Sequence, residues 1–343
     1  MRSDDDDRRL QAGPKAIPVD VAIPVYRRAA FIREAVESVV RQTFPHWNLV
    51  VCDNGPGGGS IQAAIEPFLA DPRISYVATG RTLPLAENWT NAIRQGTAKY
   101  VALLNDDDRW SPDFLQDRVS RLEAVPMCGY AFGEWIEIDV DGRESSRAPY
   151  AFREGVLSRE LLALWFTRQN IVPPSLLIRR SALETVGAAF DERWHYCDWE
   201  MWARIAARYP AYYLHRQDCE IRRHPSANTF VRREQPARLV AMMDHIEGLF
   251  ARELDFRLSW TARHKNRSRI LLNAASDVHA SGGWRASGAL HRRAVLEYPP
   301  TLISEASLRM LARSALGYRR AHTLGRRLRQ LRAKRLLSGV RRG

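Results

Sequence analysis

ALLNDDDRWSP, residues Ala102 to Pro112, sets three carboxylates side by side directly after an apolar run. Ala102, Leu103 and Leu104 close the segment KYVALL, whose continuous apolar character predicts a buried strand. Asn105, Asp106, Asp107 and Asp108 follow, then Arg109 and Trp110. Adjacent carboxylates repel and are costly near a core unless a cation or ordered hydrogen bonds compensate. Two readings are open on this stretch alone. It is a solvated loop with a cap, from Asp108 or Ser111, for a helix beginning near Pro112, or it is a cation site built from hard oxygen ligands.

The flanking sequence weighs between them. VDVAIPV, residues 19–25, predicts a short buried strand that reaches Pro24, and FIREAVESVVRQ after it carries an amphipathic helical stripe. WNLVVCDNG predicts a second strand running into a Gly/Asn turn. A helix near 60–69, the strand ISYVA and a helix at 86–95 precede KYVALL. This alternation predicts an α/β layered sheet with parallel strands. Such sheets bind ligands beyond the carboxyl ends of their strands. Asp53 and the Asn105–Asp108 cluster both fall there, which favours a site over a solvated loop.

Beyond Cys128 the pattern changes. CGYAFGEWIEIDVDGRE reads as strand followed by an Asp-Gly turn, with a helix near 158–167 after it. NIVPPSLLIRRSALETVG reads as loop, strand and helix, DWEMWARIAARY as helix, and YYLHRQDCEIRRH as a late strand or pair of strands. From about Gln235 the spacing is helical. The expected organisation is a disordered tail at 1–18, an α/β domain at 19–235, a helical extension at 236–310 and a basic tail at 311–343.

No apolar run reaches the roughly 20 residues that span a bilayer, and the N-terminal stretch lacks the apolar middle of a secretory signal. The four cysteines are scattered without a C-x-x-C pair, which predicts reduced thiols in the cytoplasm. The net charge of +13 sits almost wholly between Ala306 and Gly343, where there are twelve Lys or Arg and no Asp or Glu. The main domain is therefore near neutral, which argues against nucleic acid as its partner. In the tail Leu324, Leu328 and Leu331 form one stripe among Arg326, Arg327, Arg329, Arg332, Lys334 and Arg335. Such a helix either lies on an anionic membrane surface or packs its leucines on the preceding domain.

Five segments, in order, resemble the family 2 glycosyltransferases of the GT-A fold: VAIPVYRRAAFIREAVESVVRQTF, WNLVVCDNG, AKYVALLNDDDRWSPDFL, SLLIRRSALETVGAAFDERWHYCDWEMWARIA and IRRHPSAN. The resemblance covers roughly residues 19–230. It implies a Rossmann-like mixed sheet flanked by helices, with the C-terminal helical extension beside it. It also implies a nucleotide-diphosphate sugar donor, a glycan or lipid-linked acceptor, and Mn2+ or Mg2+. By the family pattern Asn105 stands near the ribose, where Asn replaces the usual Asp, with Asp106 beside it. Asp107 takes the metal position, and Asp108 either caps the next helix or orients Asp107. Asp53 faces the nucleobase or serves an Asx turn, while Pro24 and Tyr26 wall the base pocket. Arg81 and Asn88 are candidate donor contacts. Asp198 is the expected general base, or a helix cap. Trp199 and Glu200 are expected as acceptor or supporting groups, and Cys197 replaces the Glu usual before the Asp. His224 is expected on the metal or on the diphosphate, beside Arg222 or Arg223. The Q-x-x-R-W motif of processive synthases is missing after Asp198, which points to one sugar per encounter. Two other readings compete. A sugar-1-phosphate nucleotidyltransferase needs a Gly-rich phosphate loop that PVYRRAAF lacks, and a nucleic-acid-binding protein would rest on the basic tail alone.

Overall fold

The computed structural model describes residues 19–57, 59–147, 150, 152–194, 196–224, 236–280, 283–304 and 307–308. The expected tails at 1–18 and 311–343, and the Pro225–Asn228 part of RRHPSAN, lie outside them. The chain divides into two compact units. One runs up to Phe166 and resumes over Asn170–Arg223, and the other comprises Thr167–Gln169 and the chain from His224.

The first unit is built on a ten-stranded sheet. Its strands are β1 (Val19–Val25), β2 (Trp47–Asp53), β3 (Ile74–Ala78), β4 (Tyr100–Leu103), β5 (Arg109–Trp110), β6 (Tyr130–Ile138), β7 (Glu144–Arg147), β8 (Gly155–Leu157), β9 (Leu176–Arg179) and β10 (Ala211–Arg222). The order is β3-β2-β1-β4-β9-β6-β10-β5, with β7 beside β6 and β8 beside β10. The four strands from β3 to β4 are parallel, as the alternation predicts. β9 then enters antiparallel to both β4 and β6, which makes the sheet mixed. The late segment is one strand, β10, with register shifts between Tyr213 and Cys219.

Every residue of β1 is buried, as expected for a central parallel strand covered on both faces. Helix α1 (Ala29–Val40) lays Ile32, Ala35, Val36 and Val39 against the sheet, all fully buried. Each of its larger side chains contributes about 1.5–3 kcal/mol of burial. Two buried ion pairs pin the frame. Asp20 in β1 accepts from the Ala98 amide at 2.6 Å and from Arg180 Nη2 at 2.8 Å. A Cβ at Gly96 would lie 2.2 Å from Asp20 Oδ2, so the turn before β4 needs glycine. Arg118, in α4 (Phe114–Ala124), is fully buried and holds Asp218 of β10 through both carboxylate oxygens, at 2.6 and 2.8 Å. It also donates to the Ser175 carbonyl at 3.1 Å.

The register sets the working edge. Val25 pairs with Asp53, and β4 stops at Leu103, two residues before Asn105. Neither Asp108 nor Ser111 caps the following helix. The two-residue strand β5 intervenes, paired with β10, and the Ser111 amide donates to the Asp218 carbonyl at 2.9 Å. Helix α4 starts only at Phe114, with Asp113 at its N-cap position.

The remaining helices of this unit are α2 (Gly59–Ile65), α3 (Leu85–Ile93), α5 (Arg159–Phe166), α6 (Arg180–Thr185) and α7 (Cys197–Ala206). The second unit is helical, as the spacing predicts: α8 (Pro236–Leu254), α9 (Trp260–Ala280) and α10 (Trp284–Glu297). Its core holds Leu239, Met243, Phe250, Leu271, Ala275 and Leu290. Among the described residues no helix is long and apolar enough to cross a membrane.

Candidate active site

The carboxylate loop after β4 is held by specific protein partners. Asp106 accepts from Arg28 Nη2 at 2.7 Å and from the Tyr26 amide at 3.4 Å. Asp107 Oδ2 accepts from Arg28 Nη1 at 2.7 Å. Asp108 accepts from Asn105 Nδ2 at 2.7 Å and from the Arg222 amide at 2.8 Å. The loop thus closes Asn105 onto Asp108 and turns Asp106 and Asp107 toward one guanidinium. All three carboxylates are buried. Burial, then the neighbouring Asp107 charge, pushes Asp106 up to about 7 and Asp108 up to about 8.

Arg222 does not fit the expected diphosphate contact. Its guanidinium is buried and committed to Glu34 at 2.6 Å and to the carbonyls of Asp107, Asp139 and Val140 at 3.1–3.2 Å. Arg109 shares Glu34 at 2.8 Å and also pairs with Glu220. This network clamps the backbone of the loop from behind. Arg223 pairs with Glu137 at 2.5 Å.

Pro24 and Asp53 are buried beside each other's strands, at the carboxyl ends of β1 and β2. Asp53 Oδ2 accepts from the Tyr76 hydroxyl at 2.6 Å. The turn itself is stitched by Asn54, whose side chain donates to the Leu83 carbonyl at 3.0 Å and accepts from its amide at 2.7 Å. Asn88, on α3, is buried, and its Oδ1 has no hydrogen-bond partner among the described residues. Such an atom is costly unless a ligand satisfies it. Tyr26 is exposed, with the Arg27 guanidinium 5.0 Å from its ring centre. Arg81 points to the surface and pairs with Glu87 at 2.8 Å.

The second acidic group lies on α7. Its N-cap position is Tyr196, so Asp198 sits inside the first turn and is not the cap. The carboxylate is 9% exposed, and burial pushes it up to about 6 against an opposing hydrogen bond from Asn170. Asn170 Nδ2 donates to Asp198 Oδ2 at 2.5 Å, while its own Oδ1 accepts from the Ile171 amide at 2.8 Å. Trp199 ties α7 to α5 through Nε1 to the Phe166 carbonyl at 2.9 Å. Glu200 is buried and holds Arg204 Nε at 2.9 Å; Arg204 in turn donates to the Val186 and Ala189 carbonyls at 2.5 and 2.6 Å. Through Arg204, Glu200 on α7 therefore supports the loop after α6. His224 is buried in the second unit.

Sequence reading passes over four residues that the geometry brings in: Arg28, Asn54, Tyr76 and Asn170. Each meets its partner across 23 to 79 residues of chain. The only prior signal is that Arg28 follows the first strand, as a ligand-facing residue does.

The residues suit a divalent cation carried in on a diphosphate. Among the described residues no three His, Cys, Asp or Glu side chains form a closed metal cluster. A cation of the Mg2+ type needs only one or two carboxylates and takes its other ligands from phosphate and water. Asp106 Oδ1 and Asp107 Oδ2, converging on one guanidinium, supply such a pair.

The glycosyl transferase family 2 model matches residues 20–187. The chain is 27% identical over 124 residues to the teichuronic acid biosynthesis glycosyltransferase TuaG of Bacillus subtilis, covering 36% of this chain and 49% of that protein. It is 25% identical over 104 residues to the UDP-Glc:alpha-D-GlcNAc-diphosphoundecaprenol beta-1,3-glucosyltransferase WfgD of Escherichia coli, covering 30% and 40%. The matches thus span half or less of these relatives' own length. In fold it is similar to the mannosyltransferase PcManGT of Pyrobaculum calidifontis, solved with GDP-Man and Mn2+. The TM-score is 0.53 and the identity 16%, over 90% of this chain and 89% of that one. With its strand-end carboxylates on a mixed sheet of this kind, the chain belongs, through residues 20–187, to glycosyl transferase family 2 and has the GT-A fold.

Proposed function

We propose that this chain is an inverting glycosyltransferase. It moves one sugar per encounter from a nucleotide-diphosphate donor to a hydroxyl of a glycan or lipid-linked acceptor, with Mn2+ or Mg2+, in surface-polysaccharide synthesis. The observation that carries this reading is a division of labour between two buried acidic sets. One, after β4, converges on the Arg28 guanidinium; the other, Asp198 on α7, is a single desolvated carboxyl tuned toward neutrality.

Each residue has a task. Asp53 would accept from a nucleobase N–H, a role its hydrogen bond from Tyr76 supports by fixing the carboxylate, and Asn88 Oδ1 is an acceptor in want of a donor. Asp107, with Asp106, would hold the cation, which when bound neutralises charge on the departing diphosphate. Asp198 takes the proton of the acceptor hydroxyl as that oxygen bonds to the anomeric carbon and the bond to the diphosphate breaks. A carboxylate near pKa 6 is ionised at pH 7 yet basic enough to accept the proton. Asn170 holds it oriented. The relatives' names support polysaccharide assembly and a diphosphoundecaprenol-linked acceptor. The basic tail would hold the enzyme at the cytoplasmic membrane face.

The test is a thermal-shift panel of UDP-, GDP-, dTDP- and CDP-sugars with Mn2+, followed by nucleotide release. One donor class should stabilise the protein and be turned over. The product's anomeric configuration should be opposite to the donor's. Failure of every donor to stabilise would overturn the assignment, and a retained configuration would overturn inversion.

A further inference from the structure

Arg28 spans the two carboxylates that the cation requires. Nη1 lies 2.7 Å from Asp107 and Nη2 lies 2.7 Å from Asp106, so one planar fork holds one oxygen of each. The Arg28 side chain is 22% exposed, against 2% and 9% for its partners. It is therefore the solvent-side lid on a desolvated acidic pair. The backbone is shaped to deliver it. Arg27 sits in the left-handed region at φ 58°, which side chains other than glycine rarely adopt. That turn separates the Tyr26 amide and the Arg28 guanidinium, yet both reach Asp106.

A divalent cation on Asp106 and Asp107 needs the oxygen atoms that Arg28 holds. We propose that Arg28 is an exchangeable counter-ion: it holds the acidic pair until the donor arrives, then yields the carboxylates to the cation and transfers its fork to the donor's diphosphate. This rests on the metal-dependent reading above. A guanidinium suits the exchange because its fork fits carboxylate and phosphate oxygens alike. Two consequences follow. The cation alone binds weakly, because it must displace a fixed positive charge. Nucleotide diphosphate and cation bind with strong mutual enhancement, because the displaced Arg28 regains partners on the phosphates.

The experiment measures Mn2+ affinity of the full chain by electron paramagnetic resonance, with and without UDP or GDP. The wild type is compared with Arg28→Met, Arg28→Lys and Asp107→Asn. Arg28→Met should bind Mn2+ alone about tenfold more tightly than wild type, and the enhancement by nucleotide should shrink about tenfold. Arg28→Lys, a point charge that reaches one carboxylate at a time, should fall between and guards against misfolding of the Met variant. If all forms except Asp107→Asn bind Mn2+ alike, the metal reading stands and the counter-ion proposal falls. Weaker Mn2+ binding by folded Arg28→Met also overturns the proposal. If no form binds Mn2+ with either nucleotide, the metal reading falls and takes the proposal with it.

Discussion

Asp198→Asn should separate catalysis from stability in opposite directions. Burial raises this carboxyl from 3.8 to about 6, so the folded protein holds its proton more tightly than the unfolded chain does. The group's contribution to stability is therefore full below pH 4 and is lost as pH rises through 6. Two units at about 1.4 kcal/mol each give a loss of about 3 kcal/mol by pH 8, as an upper bound. Asn cannot ionise, and by turning its amide it still accepts from Asn170. In urea titrations the variant should match wild type near pH 4 and exceed it by 1–3 kcal/mol at pH 8, within that bound. Its turnover should drop by roughly 10²-fold or more while donor affinity stays within a few-fold. Wild-type turnover should rise with pH through about 6. Near-normal turnover in the variant would remove Asp198 as the base. An unchanged stability difference between pH 4 and pH 8 would refute the desolvation argument itself.

Two further outcomes follow from the same geometry and a third from the sequence of the basic tail. Asp107→Ala should abolish Mn2+-dependent stabilisation by UDP or GDP, which for wild type is about 2.7 kcal/mol at 100 times Kd; the fold should survive, because Arg28 keeps Asp106, and retained stabilisation would sink the metal assignment. Arg118→Met strands Asp218 as a buried unpaired charge and should lower stability by about 3–5 kcal/mol in urea; a loss below 1 kcal/mol would show that Asp218 finds water or another partner. Truncation after Ala321 should abolish low-salt co-sedimentation with anionic vesicles while sparing donor hydrolysis, each basic residue near the surface contributing about 1 kcal/mol; equal sedimentation of both forms would leave the tail without a membrane role.

The parallel half of the sheet is legible in the sequence because its information is local. Runs such as VDVAIPV and WNLVVCD are mostly apolar because central parallel strands are covered on both faces, with Asp20 a buried exception held by Arg180, and the stripe of α1 repeats at the helical period. The strand ends then place Asp53 and Asp107 on one edge with no contact known in advance. The insertion of β9 between β4 and β6 is not written in any four residues. LLIR would serve equally well on either side of the sheet and in either direction, and only its pairing with Val101 and Ala131 decides.

The same distinction separates two arginines that look alike in sequence. Arg28 and Arg222 each flank a motif, and each carries one positive charge. Arg222 arrives along β10, whose position is fixed behind the acidic loop by Arg118 and Asp218, so its amide meets Asp108 and its guanidinium is consumed by carbonyls and Glu34. Arg28 arrives across the left-handed turn at Arg27, in front of the same loop, and its guanidinium donates to the carboxylate oxygens of Asp106 and Asp107. A guanidinium ringed by backbone carbonyls has no replacement for them and is structural. One that bridges two acids at a solvent-side opening can be exchanged for another cation without unmaking the fold. Direction of approach, set by strand order, thus assigns different work to identical side chains on the two faces of one loop.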